Sequence, residues 1–99
     1  MAIKIVWNKR PITSLNKALK YISKDSYLQA EKVENRILDA IDDLIINPER
    51  HPLDQYKINN DGSFRAFEQD NYRISYRTTS KQIRILRIRH VKKKPLNYK

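Results

Sequence analysis

Alternation within one short stretch limits what this chain can fold into. In Tyr72-Arg73-Ile74-Ser75-Tyr76-Arg77, Tyr72, Ile74 and Tyr76 fall on one side and Arg73, Ser75 and Arg77 on the other. That is the period of a strand with one packed face and one cationic face. The stretch is the middle of a meander running from Gly62 to His90, predicted as strands Ser63–Glu68, Tyr72–Arg77 and Gln82–His90 joined by turns at 68–71 and 78–81. The last strand has two possible phases, because Ile83 and Ile85 share one face while Leu86 and Ile88 share the other. Either it is central and buried on both sides, or a bulge near Ile85 shifts it.

The segments before the meander supply its cover. Ile3–Trp7 reads as a short strand rich in β-branched and aromatic residues. Asn8 is a candidate N-cap with Pro11 in the first helical turn, where a missing N–H costs nothing. Ile12, Leu15, Leu19 and Ile22 then form one stripe of a helix ending near Lys24, and Asp25-Ser26 break it and offer a second cap. The second helix is predicted over about Tyr27–Ile46, with a core stripe of Ala30, Val33, Ile37, Ile41 and Leu44 widened by Leu38 and Ile45. Asn47-Pro48 stops it, since the residue before proline is pushed out of the α region. Two helices joined by so short a turn form an antiparallel hairpin, and the apolar face of the meander is its only available partner. Residues 49–62 read as a turn-rich loop. The predicted fold is therefore α+β, β-α-α-β-β-β: a two-helix antiparallel hairpin packed on one face of a mainly antiparallel sheet, with residues 1–99 forming a single domain.

The charge is +10 and unevenly placed. Residues 63–99 hold eleven Lys or Arg against only Glu68 and Asp70, whereas the first 62 are nearly balanced. A local excess of this kind suits a polyanion, either a nucleic acid or ribonucleoprotein or an acidic protein. With no cysteine there is no thiol nucleophile or disulfide, and the single glycine excludes a Gly-rich phosphate cradle. His51 and His90 lie far apart without metal-ligand spacing, so neither a metal nor another cofactor is expected. Ile3–Trp7 is too short for a signal peptide and no apolar run could span a bilayer. A cytoplasmic protein with no membrane partner is expected.

Several motifs, taken in order, resemble the toxins of the RelE/ParE superfamily of type II toxin–antitoxin systems. Tyr21-Ile22-Ser23-Lys24-Asp25 ending the first helix, Ala30 opening the second and Asn47-Pro48-Glu49 closing it are similar to the ParE branch. Asn71-Tyr72-Arg73-Ile74-Ser75-Tyr76 resembles the superfamily's aromatic-Arg-aliphatic-x-Tyr strand, and Ile85-Leu86-Arg87-Ile88-Arg89-His90 its last strand. The resemblance implies a bacterial growth inhibitor neutralised by a cognate antitoxin. It also implies two alternative targets. RelE-type members cleave mRNA in the ribosomal A site without metal, whereas ParE-type members poison DNA gyrase.

Metal-free RNA cleavage needs a base for the 2′-hydroxyl, cations for the phosphorane and an acid for the leaving oxygen. By resemblance to RelE-type sites, Arg73 would clamp the phosphate, Lys92 would stabilise the transition state, and Tyr98 would stack on a base or assist proton transfer. His90 would serve as acid, a role that suits a histidine because the unperturbed imidazole pKa lies near neutrality, and Asp54 falls where some relatives carry a carboxylate base. Arg65, Arg77, Arg87, Arg89, Lys93 and Lys94 are candidate nucleic-acid contacts on the same exposed basic surface. Each residue also has an ordinary structural reading: a surface arginine, a solvated lysine run, an anchoring aromatic, a histidine capping the sheet. Two positions that carry basic residues in RelE-type enzymes fall here on Phe64 and Ala66. The tail lysines, Tyr98 and His90 tilt the expectation slightly toward an mRNA endoribonuclease. A gyrase poison is the alternative, and a basic binding module without toxicity a third. Arg73→Ala is expected to remove phosphate binding and leave the fold intact.

Overall fold

The computed structural model describes residues 3–99. The elements are β1 (Lys4–Trp7), α1 (Lys9–Ser23), α2 (Tyr27–Asp42), a 3-10 turn (Asp43–Ile45), β2 (Phe64–Gln69), β3 (Tyr72–Thr78) and β4 (Gln82–His90). They build one four-stranded sheet in the order β1-β4-β3-β2, with β1 parallel to β4 and the other pairs antiparallel. Both helices lie on one face. No described helix is long and apolar enough to cross a membrane.

The helices follow their apolar stripes with local differences. In α1, Pro11 and Leu15 are buried and Leu19 and Ile22 pack against the core, while Ile12 is 45 % exposed. Pro11 takes the inward place expected of Ile12 because the stripe follows i, i+4, i+8, i+11 from it. Asn8 does stand at the N-cap, but its side chain makes no capping bond and instead accepts from Arg84 Nη1 at 2.9 Å. Ser26 caps α2 by accepting the Gln29 N–H. The expected α2 stripe from Ala30 to Leu44 is buried throughout, whereas Leu38 and Ile45 are exposed and do not widen it. The α-helix ends four residues short of Ile46 because its last turn tightens to 3-10 before Asn47-Pro48.

A bulge decides the phase of β4. Ser75 pairs with Arg87 but Tyr76 pairs with Ile85, so Leu86 is the extra residue. The shift puts Ile83, Ile85 and Ile88 on the helix face with Ile74 and Tyr76, all at most 3 % exposed. Arg73, Ser75, Arg77 and Arg89 fall on the other face. Asp70 and Asn71 both have positive φ, making the two-residue turn between β2 and β3 that such residues favour. The Asp70 carboxylate accepts from Arg36 Nε at 2.9 Å, which ties this turn to α2.

Tyr76 is fully buried, and its hydroxyl donates to the Pro48 carbonyl at 2.7 Å. Burial pushes its pKa up to about 12, so it donates across the physiological range. Arg65 Nη1 donates to the carbonyls of Glu49 and His51, so β2 and β3 together fasten the segment leaving α2. Tyr76→Phe should cost about 1 kcal/mol by stranding that carbonyl. Urea unfolding should show a lower midpoint at an unchanged m-value; an unchanged midpoint would mean that water replaces the bond freely.

Candidate functional site

The face of the sheet opposite the helices is the candidate site, and it is built from three segments distant in sequence. Arg73 rises from β3. Asp54 comes from the loop that closes the outer edge of β2, where Asp54 N–H donates to the Phe64 carbonyl at 2.9 Å and Ala66 N–H to the Pro52 carbonyl. Asn60 stiffens that loop by donating to the Phe64 carbonyl and accepting from Gly62 N–H. Tyr98 comes from the tail, whose N–H donates to the Tyr56 carbonyl at 2.9 Å and whose carbonyl accepts from Ile58 N–H at 2.7 Å. The tail thus adds a short parallel bridge at Lys57 and Tyr98.

These segments converge on one buried carboxylate. Asp54 is 2 % exposed. It accepts from Arg73 Nη2 at 2.9 Å, from the Tyr98 hydroxyl at 2.7 Å and from Tyr56 N–H at 3.0 Å. Burial opposes its ionisation, but the Tyr56 N–H, the Tyr98 hydroxyl and the Arg73 guanidinium together overcome it and hold the carboxyl below its ordinary range. Burial and the Asp54 anion drive the Tyr98 phenol the other way, well above its ordinary value. The pair therefore consists of a weak base and a weaker acid.

Aromatic rings and guanidiniums complete the arrangement. Arg73 lies over the Tyr56 ring at 4.9 Å and Arg87 over the Tyr98 ring at 4.8 Å. Phe64 meets Tyr98 edge-on and carries Arg77 and Lys57 over its own face. Between the tail and the sheet lies a hollow of about 200 Å³, lined by Arg73, Arg87, Arg89, Lys93, Tyr56 and Glu68 among others. Ala66 and Ser75 belong to this face yet are only 2 % and 5 % exposed. The expected open basic surface is thus partly roofed by the loop and the tail.

The structure brings together Asp54, Arg73 and Tyr98, with Arg87, Arg89 and Lys93 around them. His90 borders the same hollow, but its ring turns away from the Asp54 network. His90 pairs with Tyr72 across the sheet and meets that ring edge-on at 5.1 Å, on the helix side. Alternation explains this, since Arg73 and Arg89 form the neighbouring pair and must face the other way. Its Nδ1 accepts the Lys92 N–H. Lys92 and Lys94 are exposed, and neither lines the hollow. Arg65 stands on the helix face as a structural donor, removed from the basic group in which it was expected. Arg77 is engaged at the rim by Asp61 and Ser63. Glu68 is opposite Arg73 in register, but Arg73 bonds to Asp54 instead.

Tyr56 is absent from the candidates named above, and Phe64 stands there only as a departure from the RelE-type pattern, yet both seat the tail. A usable signal was present: aspartate two residues before a backbone donor in a turn-rich segment is an Asx-turn pattern, which fixes the Asp54-Gln55-Tyr56 corner.

A family model described as "ParE toxin of type II toxin-antitoxin system, parDE" matches residues 5–95. Among solved structures, a chain of the "Chromosomal ParDE TA system from P. aeruginosa" superposes with a TM-score of 0.71 at 18 % identity, over 92 % of this chain and 98 % of that one. At that identity the likeness is one of fold. No curated protein matches this sequence.

Proposed function

This chain belongs to the family of ParE toxins of type II toxin–antitoxin systems, and on that premise we propose that it arrests growth by holding its target, DNA gyrase, and not by cutting RNA. The observation that carries this reading is the closed Asp54–Arg73–Tyr98 network. A cleaving site needs a free base and an acid ready to give up a proton. Here the carboxylate already accepts three hydrogen bonds, the phenol holds its proton tightly, and His90, although it borders the hollow, sets its ring edge-on against Tyr72. A binding toxin requires only a rigid surface, and a buried network of this kind stiffens one. Gyrase as target is what the likeness to the ParE branch implies. A cognate antitoxin as neutralising partner follows from the family.

The endoribonuclease reading, with the ribosome and mRNA as partners, keeps one specific support: Arg73, Arg87, Arg89 and Lys93 gathered around the hollow under the tail. Two assays on the induced or purified protein separate the readings. Supercoiled plasmid incubated with gyrase and the toxin should accumulate cleaved, enzyme-linked DNA, and primer extension on cellular mRNA should show no codon-linked breaks. Codon-linked breaks with unperturbed gyrase would reverse the assignment.

A further inference from the structure

Helix α1 carries a basic surface of its own. Lys9, Thr13, Lys17, Lys20 and Lys24 recur at i, i+4, i+8, i+11 and i+15, a row opposite the buried Pro11 and Leu15, and Arg10 stands beside it. All six are exposed. Along the first half of the helix, a shallow hollow of about 470 Å³ is lined by Lys9, Arg10, Thr13, Ser14 and Lys17 alone, and each can donate a hydrogen bond. No Asp or Glu precedes Asp25 in the chain. Among the described residues none of these five cations (Lys9, Arg10, Lys17, Lys20 and Lys24) is in an ion pair. The near balance of the first 62 residues therefore hides a purely basic helix beside a mixed one, since α2 sets Glu31, Glu34, Asp39 and Asp42 among Lys32 and Arg36.

This arrangement is locally unfavourable. Lys9 and Arg10 occupy the end of the helix where its dipole favours carboxylates, and Lys17–Lys20 and Lys20–Lys24 are like-charged neighbours on one face. A face that serves only solubility can mix its signs, as α2 does, whereas a face that meets an anion has its repulsion relieved on binding. We propose that this side of α1 binds the phosphate backbone of double-stranded DNA. Its length suits the partner: Lys9 to Lys24 spans about 22 Å of helix, and a duplex offers a negative charge roughly every 1.7 Å of its axis. The row holds no apolar or aromatic side chain, and that selects the class. A protein partner needs an apolar centre to bury, and single strands are held by aromatic platforms on which bases stack. Arg10 and Lys17 also border the space between α1 and the ends of β3 and β4, whereas Lys9 and Lys20 do not. The surface is formed by α1 alone, so the inference holds whichever target the toxin acts on.

The test titrates the full chain into a labelled DNA duplex of about 20 base pairs and follows fluorescence anisotropy at several salt concentrations. Lys9→Gln combined with Lys20→Gln should make the log–log salt slope shallower by about 1.8, or about 0.9 for each phosphate contact, and weaken binding at least roughly tenfold at about 0.1 M salt. Glutamine has nearly the helix propensity of lysine, so α1 stays folded, and circular dichroism checks this. Lys32→Gln combined with Lys81→Gln makes an equal change of charge at exposed positions off α1 and should leave the slope near the parent's. Equal losses in the two double variants would overturn the proposal, because net charge alone would then account for binding. It would also be overturned if the parent bound a single-stranded oligonucleotide or vesicles of anionic lipid more tightly than the duplex and lost that preference in the Lys9→Gln/Lys20→Gln variant. No measurable binding of the duplex at low salt would overturn it as well.

Discussion

Asp54→Ala should lower stability by about 3–5 kcal/mol, the range for breaking a buried ion pair from one side. The substitution leaves the Arg73 guanidinium, only 24 % exposed, facing an apolar gap, and strands the Tyr98 hydroxyl and the Tyr56 N–H. In a domain of this size the melting temperature should fall by more than about 10 °C. The tail should loosen as well, since Tyr98 would lose its side-chain hydrogen bond and keep its backbone bonds to Tyr56 and Ile58 and its ring contacts with Arg87 and Phe64; hydrogen exchange at Ile58 N–H reports this directly. The pH dependence has a definite sign. Because the folded carboxyl titrates below its ordinary value, its stabilisation is complete above the unfolded pKa near 4 and is lost as pH falls through the folded value. Asp70 contributes in the same direction through Arg36, so the diagnostic is the difference between the parent and Asp54→Asn on acid titration. A parent and variant with superimposable acid unfolding would show that the carboxylate contributes nothing.

Arg73→Ala should cost about 2–4 kcal/mol, less than its partner's removal because the guanidinium is partly solvated. This revises the expectation that the substitution would leave the fold intact. That expectation treated Arg73 as a free side chain on a solvated face, whereas the structure makes it the counter-ion of a carboxylate that water cannot reach. The variant would bury an unpaired charge. Asp54→Asn combined with Arg73→Met should therefore recover a good part of the loss, and the double-mutant cycle should give a coupling energy of roughly 1–3 kcal/mol. Additive losses would show that the two residues act independently. Loss of activity in Arg73→Ala alone would thus not identify a phosphate clamp. Arg87→Ala is the cleaner probe of the hollow, because Arg87 rests on the Tyr98 ring without an acidic partner among the described residues.

What the sequence determined by itself was whatever rests on period and local chemistry. The alternation Tyr72-Ile74-Tyr76 against Arg73-Ser75-Arg77, the α2 stripe from Ala30 to Leu44 and the Asn-Pro stop are neighbour relations along one element, so the strand, the helix and the packed sheet were legible. The unevenness of the charge was legible for the same reason. Tertiary structure decided whatever depends on which residue lies across from which. The bulge at Leu86 rephases β4, and only its pairing with β3 puts Ile83, Ile85 and Ile88 on one face. His90 lies opposite Tyr72, a register that sends it away from Arg73. Asp54, 19 positions before Arg73, and Tyr98, 44 positions after Asp54, meet only because the loop and the tail dock against the same strands. A buried carboxylate saturated by such distant donors leaves no periodic trace in a sequence.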